Sequence, residues 1–182
     1  MHFIKTEIDG VYIVEPRVFE DVRGYFFESY SKAKFEAAGL YYDFVQDNQS
    51  KSCYGTIRGL HFQKGEYAQA KLVRVLEGAV LDVAVDLRKG SPTYGRHIAV
   101  ELSAENRRQI LIARGFAHGF SVLSETAVLS YKCDNLYCKE AEGGIRFDDP
   151  SLGIDWRIDV SKALTSEKDR NLPGFEEAAS CF

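Results

Sequence analysis

Two of the four histidines stand in contexts where they could do chemistry. His61 lies in the run Gly55-Thr56-Ile57-Arg58-Gly59-Leu60-His61-Phe62-Gln63, and His118 in Gly115-Phe116-Ala117-His118-Gly119-Phe120. An imidazole titrates near neutral pH and can act as a general base. Arg58, three positions before His61, and Lys71, at the start of the next apolar stretch, would put positive charge beside that base. This combination suits an anionic or enolising substrate, because a fixed cation stabilises negative charge as it develops. Arg23 and Lys168 also stand beside motif-like residues, whereas most of the other basic residues read as ordinary surface. Tyr131 shares a face with Ala127 and Leu129. On spacing alone it reads as a core aromatic with a satisfied hydroxyl, and it becomes a proton donor only if a base stands opposite. His97 is expected to face outward on an edge strand, and His2 to belong to a frayed terminus.

For these groups to meet, distant segments must converge, and the patterning says how. In residues 71–77, Val73 and Val75 alternate with Leu72, Arg74 and Leu76. Leu81, Val83, Val85 and Leu87 then share one face, and Asp82, Ala84 and Asp86 the other. Ile98, Val100 and Leu102 repeat this period of two, the signature of a strand, and further strands are predicted at 109–112, 116–123 and 126–131. Turn signals separate them at Gly90-Ser91-Pro92, Ser103-Ala104-Glu105-Asn106, Gly115 and Ser124-Glu125. Earlier in the chain a short apolar strand is predicted over 10–16. Ser31 is placed to cap a short helix over 32–38 that Gly39 would close. The tail, 161–182, reads as helical and loop-like with a break at Pro173-Gly174. Many short, punctuated strands predict a mainly β fold, an antiparallel jelly-roll sandwich or barrel with short helices at its periphery and in the C-terminal region.

Composition narrows the function. The 182 residues carry 23 Lys plus Arg against 27 Asp plus Glu, a net charge of -4 with no long run of either sign. Binding of nucleic acid by bulk charge is therefore not expected. The 12 Phe and 10 Tyr favour a β-rich fold or a ring-lined pocket. The first nine residues mix His2, Lys5, Glu7 and Asp9 without an apolar run, unlike a signal peptide, and no stretch is long enough to span a bilayer. Cys53, Cys133, Cys138 and Cys181 are scattered without a CxxC spacing, so reduced thiols in a cytoplasmic protein are expected.

A histidine six positions after a glycine, followed by Gly-x-x-His on a later strand, resembles the two motifs of cupin barrels. Metal-binding cupins carry a second histidine two residues after the first, and here that place holds Gln63. His61, Glu66 and His118 would leave a transition metal one ligand short of a firm hold, so no metal is expected. No internal repeat or linker appears. One domain, 1–182, is predicted, with a cupin-like barrel core at about 45–150 and the N-terminal strands and C-terminal helical tail packed on it.

Taken in order, Arg23-Gly24-Tyr25-Phe26-Phe27-Glu28, Phe44-Val45-Gln46-Asp47-Asn48, Arg58-Gly59-Leu60-His61-Phe62-Gln63, Gly115-Phe116-Ala117-His118-Gly119-Phe120, Tyr131-Lys132 and Lys168-Asp169 resemble the dTDP-4-dehydrorhamnose 3,5-epimerase family. The resemblance implies a cupin-like jelly roll, a homodimer, and catalysis with neither metal nor organic cofactor. It implies a thymidine-diphospho 4-keto-6-deoxyglucose as substrate, whose C3 and C5 protons are acidified by the C4 ketone. Inversion then needs a base on one face of the sugar and an acid on the other. The family's base maps to His61, its orienting carboxylate to Asp169, its acid to Tyr131, and the cation facing the C4 oxygen to Lys71. Arg23 and Arg58 map to diphosphate-binding positions. Glu28, Gln46, Asn48, His118, Glu142 and Lys168 map to other substrate-binding positions, and Tyr137 could offer a face to the thymine. One position departs from the family: Ala113 stands where a proline is usual, which would leave the turn before His118 less rigid. The rivals are a single-centre epimerase or ketoisomerase on the same scaffold and, further off, a cupin-fold sugar- or metal-binding protein.

Overall fold

The computed structural model describes residues 1–178. In chain order the strands are β1 (His2–Lys5), β2 (Val11–Glu15), β3 (Val18–Asp21), β4 (Gly24–Phe27), β5 (Gln46–Cys53), β6 (Ile57–Gln63), β7 (Lys71–Glu77), β8 (Ala79–Asp86), β9 (His97–Ser103), β10 (Gln109–Ile112), β11 (Phe116–Val122), β12 (Thr126–Cys133) and β13 (Glu142–Gly144). One sheet runs β1-β2-β10-β7-β12-β5, a second runs β13-β6-β11-β8-β9, and β3 and β4 form a separate hairpin. The pairings in all three are antiparallel. The two large sheets stack face to face as a cupin-like jelly roll, in which alternate residues of each strand face the shared interior.

That interior is apolar for most of its depth. Val73 and Val75 of β7, Val80 and Ala84 of β8, Phe116, Phe120 and Val122 of β11, and Ala127 and Leu129 of β12 form one buried cluster. The inward rows of these same strands also carry Lys71, Asp82, His118 and Tyr131, so polar chemistry is built into the core pattern. Strand β8 is buried on both faces: Leu81, Val83 and Val85 pack outward beneath the C-terminal segment with Trp156 and Phe147. A third cluster covers the outside of the first sheet, where Phe35 of α1 (Lys32–Ala37) packs near Leu72, Val14 and Leu111.

Strands β7 and β10 take their expected bounds, β11 stops at Val122, and β12 continues to Cys133. The helix expected at 32–38 forms as α1 over Lys32–Ala37, Ser31 stands at its N-cap without a side-chain capping hydrogen bond, and Gly39 leaves it at a positive φ of 77°. His2 is not frayed: it opens β1 opposite Glu15, because β1 completes an edge of the first sheet. His97 lies on edge strand β9 but is half-buried. Burial lowers its pKa, partly opposed by a hydrogen bond with the Leu152 backbone. The tail contains a 3-10 turn (Val160–Lys162), α2 (Glu167–Arg170) and α3 (Phe175–Ala178). Residues 179–182 of the expected tail, Cys181 included, lie outside the described residues. Cys53, Cys133 and Cys138 are free thiols. Among the described residues, no helix is long and apolar enough to cross a membrane.

Candidate active site

The tail is fastened to the barrel just before it delivers a carboxylate. Leu164 bridges Thr56: the Leu164 N–H donates to the Gly55 carbonyl at 2.9 Å, and the Ile57 N–H donates to the Leu164 carbonyl at 3.0 Å. Ser166 then caps α2 by accepting from the Asp169 N–H at 3.0 Å. This turn buries Asp169 against β6, where its Oδ1 lies 2.7 Å from His61 Nε2 and its Oδ2 accepts from the Gly59 N–H at 3.3 Å. Burial opposes ionisation of Asp169, but the hydrogen bond and charge of His61 outweigh it and, with the Gly59 N–H, hold the carboxyl below its usual range. An ionised carboxylate against Nε2 keeps the proton on that nitrogen, leaving the Nδ1 lone pair to accept one.

Gly59 makes this placement possible. It adopts φ +126°, and a Cβ there would lie 2.5 Å from the Gly119 Cα. Strands β6 and β11 therefore approach closely across an irregular register that sets His61 directly opposite His118. His118 is buried, with Nε2 3.0 and 3.1 Å from the two oxygens of Asp82. Asp82 is not among the residues that sequence motifs point to. Its signal was a carboxylate inside the otherwise apolar run from Val80 to Val85.

The facing sheet supplies the other groups. Lys71 opens β7 and Tyr131 lies near the end of β12, the lysine Nζ 6.0 Å from the phenol ring centre. Burial lowers the Lys71 pKa, while Cys133, Asp82 and Glu142 pull the other way. Burial raises the Tyr131 pKa, and nearby Arg58 pulls it down. The phenol is thus neutral and able to donate at ordinary pH. A cavity of about 660 Å³ contains His61, Asp169, His118, Lys71, Tyr131 and Arg58, with Lys168 at its wall, and has the size of a small-molecule site. Arg58 projects into it with Nε held at 3.0 Å by Ser52 Oγ. An adjoining cavity of about 290 Å³ shares His61, Lys71 and Tyr131 and is completed by Gln46, Asn48, Tyr137 and Glu142. Glu142 accepts from the Tyr137 hydroxyl at 3.3 Å and is paired with Lys168.

Two expected binding residues are not brought to these cavities within one chain. Arg23 sits at the turn of the β3–β4 hairpin, 86% exposed and paired with Asp21. Glu28 is paired with Lys34 at 2.7 Å. The Ala113 turn is tied down by another route, since its N–H, which proline would lack, donates to the Gly10 carbonyl at 2.9 Å. Among the described residues, no three His, Cys, Asp or Glu side chains are grouped to hold a metal ion, and Glu66 stands apart from both cavities.

Comparison with known proteins bears on this arrangement. The sequence model of the dTDP-4-dehydrorhamnose 3,5-epimerase family matches residues 5–177. A dTDP-4-dehydrorhamnose 3,5-epimerase of Methanothermobacter thermautotrophicus is 54% identical over 170 residues, 93% of this chain and 91% of the relative. The crystal structure of dTDP-4-dehydrorhamnose 3,5-epimerase from Elizabethkingia anophelis is similar with a TM-score of 0.94 and 59% identity, over 97% of each chain. The dTDP-6-deoxy-D-glucose-3,5-epimerase of Legionella pneumophila, crystallised with dTDP-4-keto-L-rhamnose, is similar with a TM-score of 0.92 and 46% identity, over 96% of this chain and 93% of that one.

Proposed function

The chain belongs to the dTDP-4-dehydrorhamnose 3,5-epimerase family, a family of isomerases, and from that premise we propose that it converts dTDP-4-dehydro-6-deoxy-D-glucose to dTDP-4-dehydro-L-rhamnose by inverting C3 and C5. The observation that carries this reading is His61 on one sheet, paired with Asp169 of α2, facing Lys71 and Tyr131 on the other sheet across a single cavity. His61 takes the proton from a carbon next to the ketone, and Asp169 stabilises the imidazolium that forms. The electron pair moves to the C4 oxygen, where the Lys71 ammonium stabilises the enolate. Tyr131 then returns a proton from the opposite face, and exchange with solvent resets both groups. The step is redox-neutral and balances without a co-reactant, which supports catalysis by side chains alone.

Arg58 binds the diphosphate as a guanidinium fork. Gln46, Asn48, His118, Glu142 and Lys168 hold the rest of the substrate, and the exposed Tyr137 ring stacks on the thymine. Arg23 and Glu28 serve a site only if a second copy of the chain brings its β3–β4 hairpin to this cavity. A homodimer is therefore part of the proposal. In deuterated water, without added metal or nicotinamide, the 4-keto sugar nucleotide should take up label at both C3 and C5, as read by NMR. Label at one carbon alone would assign the chain to the single-centre rival, and uptake abolished by a chelator would end the cofactor-free reading.

A further inference from the structure

Strand β6 ends on Gln63, a buried polar side chain two residues beyond His61. Its amide is engaged with backbone on two loops. Nε2 donates to the Tyr67 carbonyl at 2.9 Å and to the Leu136 carbonyl at 3.1 Å, and Oε1 accepts from the Cys138 N–H at 2.7 Å. Leu136 and Cys138 flank Tyr137, and a second amide grips the residue between them: Gln46 Oε1 accepts from the Tyr137 N–H at 3.1 Å. Three successive residues of the loop between β12 and β13 thus hang from two glutamine side chains. The Tyr137 ring is 55% exposed, so burial does little to fix it. Its place is set by the backbone that carries it and by its hydroxyl bond to Glu142.

We propose that Gln63 is a positioning residue for the nucleotide end of the site, acting through the ring of Tyr137. This role accounts for the residue type. Two donors and an acceptor on one planar group match two carbonyls and an N–H, whereas an imidazole at the same place has only two nitrogens to offer. The base of the loop has its own anchors, Asn135 Nδ2 to the Glu66 carbonyl at 2.7 Å and Gln69 Nε2 to the Asn135 carbonyl at 2.8 Å. Replacing Gln63 therefore releases Leu136 and Cys138 on either side of Tyr137 without detaching the loop, and leaves the Tyr137 backbone to Gln46 alone.

The test is thymidine diphosphate binding by calorimetry, together with kcat and KM for the 4-keto sugar nucleotide. Gln63→Met, similar in length but without the amide, should raise both Kd and KM by about tenfold while kcat stays within about threefold. Gln63→Glu keeps the acceptor for the Cys138 N–H but turns a carboxylate oxygen onto the Tyr67 and Leu136 carbonyls, and should lose at least as much as Gln63→Met. In a Tyr137→Ala background Gln63→Met should cost nothing further, because the ring it positions is gone. Unchanged Kd in Gln63→Met, or additive losses in the double variant, overturns the proposal. Failure of both Gln63 variants to fold also overturns it, by making the residue a determinant of folding. The inference rests on the nucleotide-sugar reading: a wild-type chain that does not bind thymidine diphosphate defeats both, whereas wild-type binding with an unaltered Gln63→Met defeats this one alone.

Discussion

A lysine stabilises an enolate only while it keeps its proton, and Lys71 holds its proton less firmly than an exposed lysine. Burial moves it below the ordinary 10.5, whereas burial moves Tyr131 above 10.0. With the lysine shifted down and the phenol shifted up, the alkaline limb of kcat is expected to report loss of the proton from the Lys71 ammonium and to lie below 10.5. Lys71→Arg replaces it with a guanidinium that stays charged. The variant should lose about tenfold to a hundredfold in kcat through poorer fit, and its alkaline limb should move upward in a pH–rate profile. A limb that stays in place would assign the titration to another group. Lys71, His61 and Arg58 were legible in the sequence because their types stand out in motif-like runs. The partners of the histidines were not. Asp82 is 36 positions from His118 and Asp169 is 108 from His61, separations that only the fold closes, and Asp169 was reached through family resemblance.

At the scale of elements, the site depends on how closely β6 and β11 approach. Gly59→Ala puts a methyl into Gly119 at a backbone conformation that L side chains rarely adopt. It should cost on the order of 1–3 kcal/mol of stability in denaturant unfolding and displace His61, reducing kcat more than KM. Wild-type stability and rate would mean that the contact relaxes freely. The far end of β8 is held by buried Asp86, which accepts from Arg88 at 2.7 and 2.9 Å and from Ser91 and Thr93 at 2.6 Å. Burial opposes its ionisation, but the Arg88, Ser91 and Thr93 hydrogen bonds win and hold the pKa well below 3.8. With a depressed folded value, its contribution is fully present above the unfolded pKa and disappears as pH falls through the folded one. Asp86→Asn should therefore lose about 3–5 kcal/mol at pH 7, and its stability should decline less steeply than wild type below about pH 4. Parallel acid curves would refute that role. Strand β9 was legible because Ile98, Val100 and Leu102 alternate with His97, Ala99 and Glu101 at a period of two. Strand β5 was not, since Gln46-Asp47-Asn48-Gln49-Ser50-Lys51-Ser52-Cys53 lies on a sheet edge and has little apolar surface to alternate.

The whole molecule matters because the proposed base and acid stand on different sheets, and because a cluster of exposed aromatics lies on the hairpin bearing Arg23. Phe19, Tyr25 and Phe26 are all more than half exposed there, an apolar patch suited to contact with another copy. Light scattering at micromolar concentration should give twice the 20.5 kDa of one chain. A stable, active monomer would contradict a shared site. The facing of the two sheets also separates the two halves of the proton path, so His61→Asn and Tyr131→Phe should fail differently. Without His61 no α-proton is removed, and exchange and inversion should both fall by about a hundredfold to ten-thousandfold. Without the Tyr131 hydroxyl, His61 still removes a proton and returns one to the same face. Comparing the two variants in deuterated water, with label position and product configuration read by NMR, tests the account most directly. It predicts that Tyr131→Phe keeps exchange with retained configuration while His61→Asn loses both. Equal loss of exchange in the two variants would contradict it.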